Sequence, residues 1–213
     1  MSRADEPSDS NEAGESNGRA CAMSKGPAPP LTIDVGAIAS DAVAQARPDL
    51  VTRPTGRAVR AAIEVRISRI ARSPSVSLLD FTRVRILDFS CADEVVAKLL
   101  VRYMRRDRPR EAFFLFRAVG DIHRHAVEEV LGRHGLAAVC DLGGGYELLG
   151  SATEEERTAW RTLEHRGRIS LSELAAEFGE QGVPVIRGLA DRRVAWCGRR
   201  GDARALSEIA RNP

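Results

Sequence analysis

The chain has 213 residues, 43% hydrophobic and 29% charged, a balance that supports a buried core and excludes wholesale disorder. Its formal charge of +2 is uneven: acids lead over residues 1–30 and bases over residues 56–150, an excess too small to demand a nucleic-acid partner unless it gathers on one face. Cys21, Cys91, Cys140 and Cys197 are scattered with no CxxC spacing, which points to reduced thiols and not to a disulfide framework.

Residues 1–30 are rich in Ser, Asn, Glu, Gly and Pro, a composition that cannot offset its own ordering entropy, and they read as a disordered tail. The N-terminus lacks the basic start and apolar core of a secretion signal, and no stretch approaches the roughly 18 apolar residues of a membrane span. A cytoplasmic protein with no membrane partner is expected.

Leu31–Val35 alternates like a short strand, and a less regular stretch follows to Pro54. Thr55-Gly56 opens a helix with Val59, Ile63, Ile67 and Ile70 on one face, ended by Ser73-Pro74. Ser75–Phe81 has strand length and is bounded by turn signals, as a strand covered on much of both faces would be. Asp88-Phe89-Ser90 leads into a helix whose stripe is Ala92, Val95, Val96, Leu99, Leu100 and Tyr103, with Glu94, Lys98 and Arg102 on the solvent side. Glu111–Arg117, holding Phe113, Phe114 and Phe116, reads as a central strand; Asp121–His134 as a helix ended by Gly135; Leu136–Asp141 as a last parallel strand. Strands alternating with helices predict an α/β fold, a mostly parallel sheet with crossover helices, over residues 31–150.

From residue 151 to 213 the pattern is helical and short-looped. Helices are predicted over Thr153–Arg166, Ser170–Phe178 and Pro184–Arg193, then a hairpin from Val194–Cys197 through Gly198–Asp202. Three helices followed by a hairpin read as a small winged helix-turn-helix-like domain. Its bases Arg187, Arg192, Arg193, Arg199, Arg200 and Arg204 outnumber Asp191 and Asp202, which opens DNA contact; few Asn, Gln or Ser side chains are there to read base edges, which opens protein docking instead.

The stretch Ser75–Asp93, SVSLLDFTRVRILDFSCAD, resembles the central strand, turn and helix start of STAS domains, the fold of anti-sigma-factor antagonists. It is also similar to STAS-like proteins of unassigned function, with a Gly-Arg-x-x-Arg helix start at Gly56–Arg60 and an acidic pair at Asp93-Glu94. The resemblance covers residues 31–150 and implies a bacterial regulator with a protein partner such as a switch kinase or sigma-control component. In that family a serine directly after the loop aspartate is phosphorylated. Here Phe89 follows Asp88, and Ser90 stands one place later.

Ser90 therefore carries two readings, a phosphorylation site or the cap of a Ser-x-x-Asp box that accepts from the Asp93 amide. Phe89 is either a partner anchor or a side chain packed under the loop. His123, His125 and His134 lack a metal-ligand motif, Gly143–Gly145 lacks the lysine of a phosphate loop, and no nucleophile elbow or carboxylate pair stands out. The expectation is a non-enzymatic adaptor with no cofactor or metal, binding a protein through Asp88, Phe89, Ser90, Asp93 and Glu94. The alternative is a transcriptional regulator that contacts DNA through Arg187, Arg192, Arg193, Arg199 and Arg200.

Overall fold

The structure, a computed structural model, describes residues 28–43, 49–70, 74–198 and 201–211. Most of the expected tail, and the arginines Arg199 and Arg200, lie outside the described residues. The protein is mixed α/β around a five-stranded sheet of order β1-β2-β3-β4-β5. β1 (Ala28–Asp34), β2 (Ser75–Asp80), β3 (Ala112–Arg117) and β4 (Ala137–Asp141) run parallel; β5 (Tyr146–Gly150) returns antiparallel to β4. The first strand begins at Ala28, three residues inside the expected tail, because its edge pairs with β2 from Ala28↔Ser75 onward.

When strand order follows chain order, right-handed crossovers place every connecting helix on the same face. One face of the sheet, with Ile33, Leu79, Phe114, Phe116 and Cys140, packs on α2 (Arg53–Ser68) through Val59 and Ile63 and on α5 (Asp121–Arg133) through Val127 and Leu131. Alternate residues point the other way. Val76, Leu78, Phe113, Leu115, Val139 and Leu148 pack on Trp160, Leu163, Ile186, Leu189 and Ile209 of the C-terminal module. Both faces are covered, and this is why successive residues of β2 and β3 are buried almost without interruption, Ser75 and Ser77 included.

Three local structures differ from the sequence reading. The irregular stretch after β1 contains α1 (Val35–Val43), started by Asp34, whose Oδ1 accepts from the Ala37 amide at 2.8 Å. α2 begins at Arg53, before the expected Thr55: Thr52 caps it, and Pro54 sits in its first turn, where no backbone hydrogen bond is lost. The helix after β2 also departs from plain α geometry. It runs as α3 (Phe89–Ala92), a π-helical segment Asp93–Lys98 and α4 (Leu99–Met104).

In the C-terminal module α6 (Glu154–Arg166) and α7 (Leu171–Phe178) each start in a capping box, Thr153 with Glu156 and Ser170 with Glu173. α8 (Gly182–Asp191) follows, with Pro184 in its first turn. Short strands β6 (Arg168–Ser170), β7 (Trp196–Cys197) and β8 (Asp202–Arg204) form an antiparallel sheet of order β6-β8-β7, and α9 (Leu206–Arg211) closes the described chain. Arg157 ties α6 to β5 by donating to the carbonyls of Leu148 and Gly150 at 2.5 and 2.6 Å.

Candidate interaction edge

The segment after β2 crosses the C-terminal edge of the parallel strands. Phe81, Val84 and Leu87 plug into the core. Leu50 and Leu87 form a parallel bridge, with Leu50 N donating to Ile86 O at 2.8 Å and Asp88 N to Leu50 O at 2.9 Å. This pins the approach to α3.

Asp88 is the cap of α3: its Oδ1 accepts from the Cys91 amide at 2.8 Å. Ser90 does not cap. Its hydroxyl lies one residue inside the helix and donates to Asp88 at 2.9 Å, so the Ser90–Asp93 box expected from sequence is replaced by an aspartate cap with a serine bonded to it. The carboxylate wins because it accepts the backbone bond and the hydroxyl bond together.

Phe89 is 43% exposed, and His125 of α5 meets it edge to face at 5.4 Å. It does not pack under the loop. Val51 and Ile86, beside the Leu50–Leu87 bridge, are exposed, as is Ile122, one helical turn before His125. Single exposed apolar residues are ordinary on a protein surface.

Asp93 and Glu94 turn inward. Glu94 is fully buried, which overturns its expected place on the solvent side. Its carboxylate meets Lys98 Nζ at 2.6 Å, Arg53 at 3.0 Å, Arg60 at 3.2 Å and Arg57 at 3.4 Å. Asp93 meets Arg53 at 2.8 Å, His134 at 2.8 Å and Lys98 at 3.1 Å. Gly56 makes this approach of α2 feasible, since a Cβ there would lie 3.0 Å from Cys91 Cα and 3.1 Å from Glu94 Cβ. Burial pushes the Glu94 carboxyl up, yet Lys98, Arg60 and Arg53 outweigh it and hold the group below its usual range. Burial likewise favours protonation of Asp93, and His134, Arg53 and Lys98 overcome it. The Cys91 thiol, buried and beside Asp88, is pushed up to about 11 and is inert near neutrality.

Of the five residues assigned to partner contact from sequence, Asp88, Phe89 and Ser90 therefore reach the surface, whereas Glu94 is interior and Asp93 is held in the charge cluster. Arg53, Arg57, Arg60, Lys98 and His134 complete that cluster, and sequence reasoning does not single them out as its members. The Gly-Arg-x-x-Arg start and the Asp-Glu pair are both visible in the sequence, but nothing local joins them: Arg53 and Glu94 are 41 residues apart.

In the C-terminal module Arg192 donates to Glu156 and to the Ser151 carbonyl. Arg193 is 9% exposed, pairs with Glu111 at 2.7 Å and lies over the Phe113 ring at 5.0 Å. Both tie elements together through carboxylates. Arg187 is exposed with no ion pair among the described residues. Arg199 and Arg200 lie outside them.

His123 is buried against Phe81, and burial lowers its pKa. Among the described residues no helix is long and apolar enough to cross a membrane. Comparison with protein-family models, with curated proteins and with solved structures finds no match for this chain.

Proposed function

We propose that this is a non-enzymatic regulatory adaptor of the STAS-like kind, a bacterial cytoplasmic protein that binds a protein partner, such as a switch kinase or sigma-control component, through the Asp88–Ser90 edge. The observation that carries the reading is Phe89: a half-exposed aromatic on a capped helix start, braced by His125, at the edge where parallel strands feed their helices. The exposed aliphatic residues around it supply an apolar contact, and Arg53 and Arg57, with side chains 43% and 64% exposed, give it a basic rim. Ser90 stands on the same edge, with its hydroxyl already bonded to a carboxylate, so a phosphate there would have to displace Asp88 as its neighbour.

A second reading rests on the C-terminal module. Helix, strand, helix, helix and two strands in a sheet of order β6-β8-β7 is the element order of a winged helix, and Arg187 is exposed on α8, its third helix. That reading makes the protein a DNA-binding regulator. The tying of Arg192 and Arg193 to carboxylates weakens it.

The full chain, immobilised as wild type, Phe89→Ala or Arg187→Ala, separates the two. The adaptor reading expects one protein from a native lysate to be retained by the wild type and by Arg187→Ala, and its affinity for Phe89→Ala to fall about 30-fold. Folded stability of Phe89→Ala should stay within about 1 kcal/mol of wild type. Equal retention by Phe89→Ala would sink the adaptor reading, and salt-sensitive retardation of duplex DNA lost in Arg187→Ala would establish the other.

A further inference from the structure

β5 ends the large sheet: among the described residues it pairs with β4 alone, and its other edge meets no strand. In an antiparallel pair the backbone groups of every second residue turn away from the partner. On β5 the outward set is Tyr146, Leu148 and Gly150, since the carbonyls of Leu148 and Gly150 are the ones that meet Arg157. A free edge of this kind is a template for a further strand.

One side chain occupies both of those carbonyls. Arg157 Nη1 donates to Leu148 O at 2.5 Å and Nη2 to Gly150 O at 2.6 Å, where the amides of an added strand would dock. The start of α6 holds it in place: the Thr153–Glu156 capping box fixes the first turn, and Arg157 N donates to Thr153 O at 2.9 Å. The space beside the edge is open on both faces. A hollow of about 490 Å³ lies on the α5 side, against Arg124 and Glu128, and one of about 300 Å³ on the α6 side, against Trp160 and Arg161. Leu148 and Arg157 line both, so the guanidinium is the partition between them. An added strand sends alternate side chains to opposite faces, and a hollow on each face of one edge gives them room.

We infer that Arg157 guards the β5 edge, and that without it a second copy of the chain pairs there, β5 against β5, antiparallel about Leu148. The outward residues set the register. Leu148 meets Leu148 of the second copy, and Tyr146 meets Gly150, an aromatic ring over a glycine, which is a favourable cross-strand pair. The charge of the rim favours a second copy over a segment of one sign: Arg124 pairs with Glu128 and Glu147, and Arg161 with Glu154, so each arginine brings its own acid to the two-fold. The inference rests on β5 and α6 and is independent of the edge at Phe89.

Sedimentation equilibrium of the full chain up to about 100 μM tests it. The wild type should be monomeric and Arg157→Ala in monomer–dimer exchange, with a dissociation constant at least about tenfold below that of the wild type. Arg157→Lys keeps the charge and stem of a half-buried side chain but loses the two-pronged donor; it should dimerise as well, and it carries the test if Arg157→Ala does not fold. Hydrogen exchange locates the surface: the Leu148 amide, turned outward in the monomer, should gain about tenfold protection as the variant dimerises. Tyr146→Pro, added to the same variant, removes an outward N–H and should restore the monomer. A folded Arg157→Ala, or failing that Arg157→Lys, that stays monomeric would overturn the guard. So would a wild type that dimerises as tightly, a Leu148 amide that exchanges alike at every concentration, or a dimer that survives Tyr146→Pro.

Discussion

Glu94 is the residue on which the edge depends. A carboxylate with a side chain 1% exposed survives in the interior only because Lys98, Arg53, Arg57 and Arg60 surround it. Replacing it with Gln leaves those cations without their central partner. As they are partly solvated, we expect a loss near the low end for buried pairs, about 3 kcal/mol at neutral pH. The folded-state pKa values of Glu94 and Asp93 lie below their unfolded values, roughly 4.3 and 3.9. Their stabilisation is therefore complete above that range and lost as the pH falls through the folded values. Urea unfolding of wild type and Glu94→Gln across pH should show a gap that is full at neutrality and narrows once the pH drops below about 4. A gap constant down to about pH 3 would mean that the carboxylate is not the source of the difference.

At the scale of elements, the contact of α2 with α3 and the π segment turns on Gly56. Alanine is the better helix former by about 1 kcal/mol, but its Cβ would press on Cys91 Cα and Glu94 Cβ. Overpacking of two fixed helices should win, so Gly56→Ala is expected to destabilise by about 1–2 kcal/mol. Gly132, in α5, has nothing within 4 Å of where a methyl group would sit, and should respond with the opposite sign, gaining about 0.5 kcal/mol as Ala. Thermal unfolding of both variants checks the contrast, and a stabilised Gly56→Ala would remove close approach as the reason for the glycine. The parts that are legible in the sequence are those with one dominant signal: β3 as a short apolar run, β2 as a run of strand length bounded by turn signals, α2 as an amphipathic stripe. The π segment is not legible, because Val95, Val96, Leu99 and Leu100 satisfy ordinary helical spacing equally well. The burial of Glu94 is hidden for a related reason. Its i,i+4 pairing with Lys98 reads as a solvated face until α2 brings three arginines over it. Phe89 has two open readings in the sequence, and its place against His125 of α5, which shows that it does not pack under the loop, depends on a helix more than 30 residues away.

For the whole molecule, the second face of the sheet makes the C-terminal module part of the core. Val76, Leu78, Phe113, Leu115, Val139 and Leu148 have no cover among the described residues other than α6, α8, α9 and their neighbours. The boundary near residue 151 is a change of pattern along the chain; cooperative unfolding should ignore it. Both tryptophans, Trp160 and Trp196, lie in the module, so fluorescence follows its packing while far-UV ellipticity follows every helix and strand. Their denaturation curves are expected to superimpose. Leu115→Ala sharpens the test: the leucine is fully buried on β3, outside the module, yet it faces the module's core, and the cavity should cost about 3 kcal/mol. If sheet and module unfold as one, that change lowers the fluorescence and ellipticity midpoints by the same amount. If they unfold separately, the ellipticity curve splits and the two midpoints part, because a defect in β3 then acts on the sheet by more than it acts on the tryptophans.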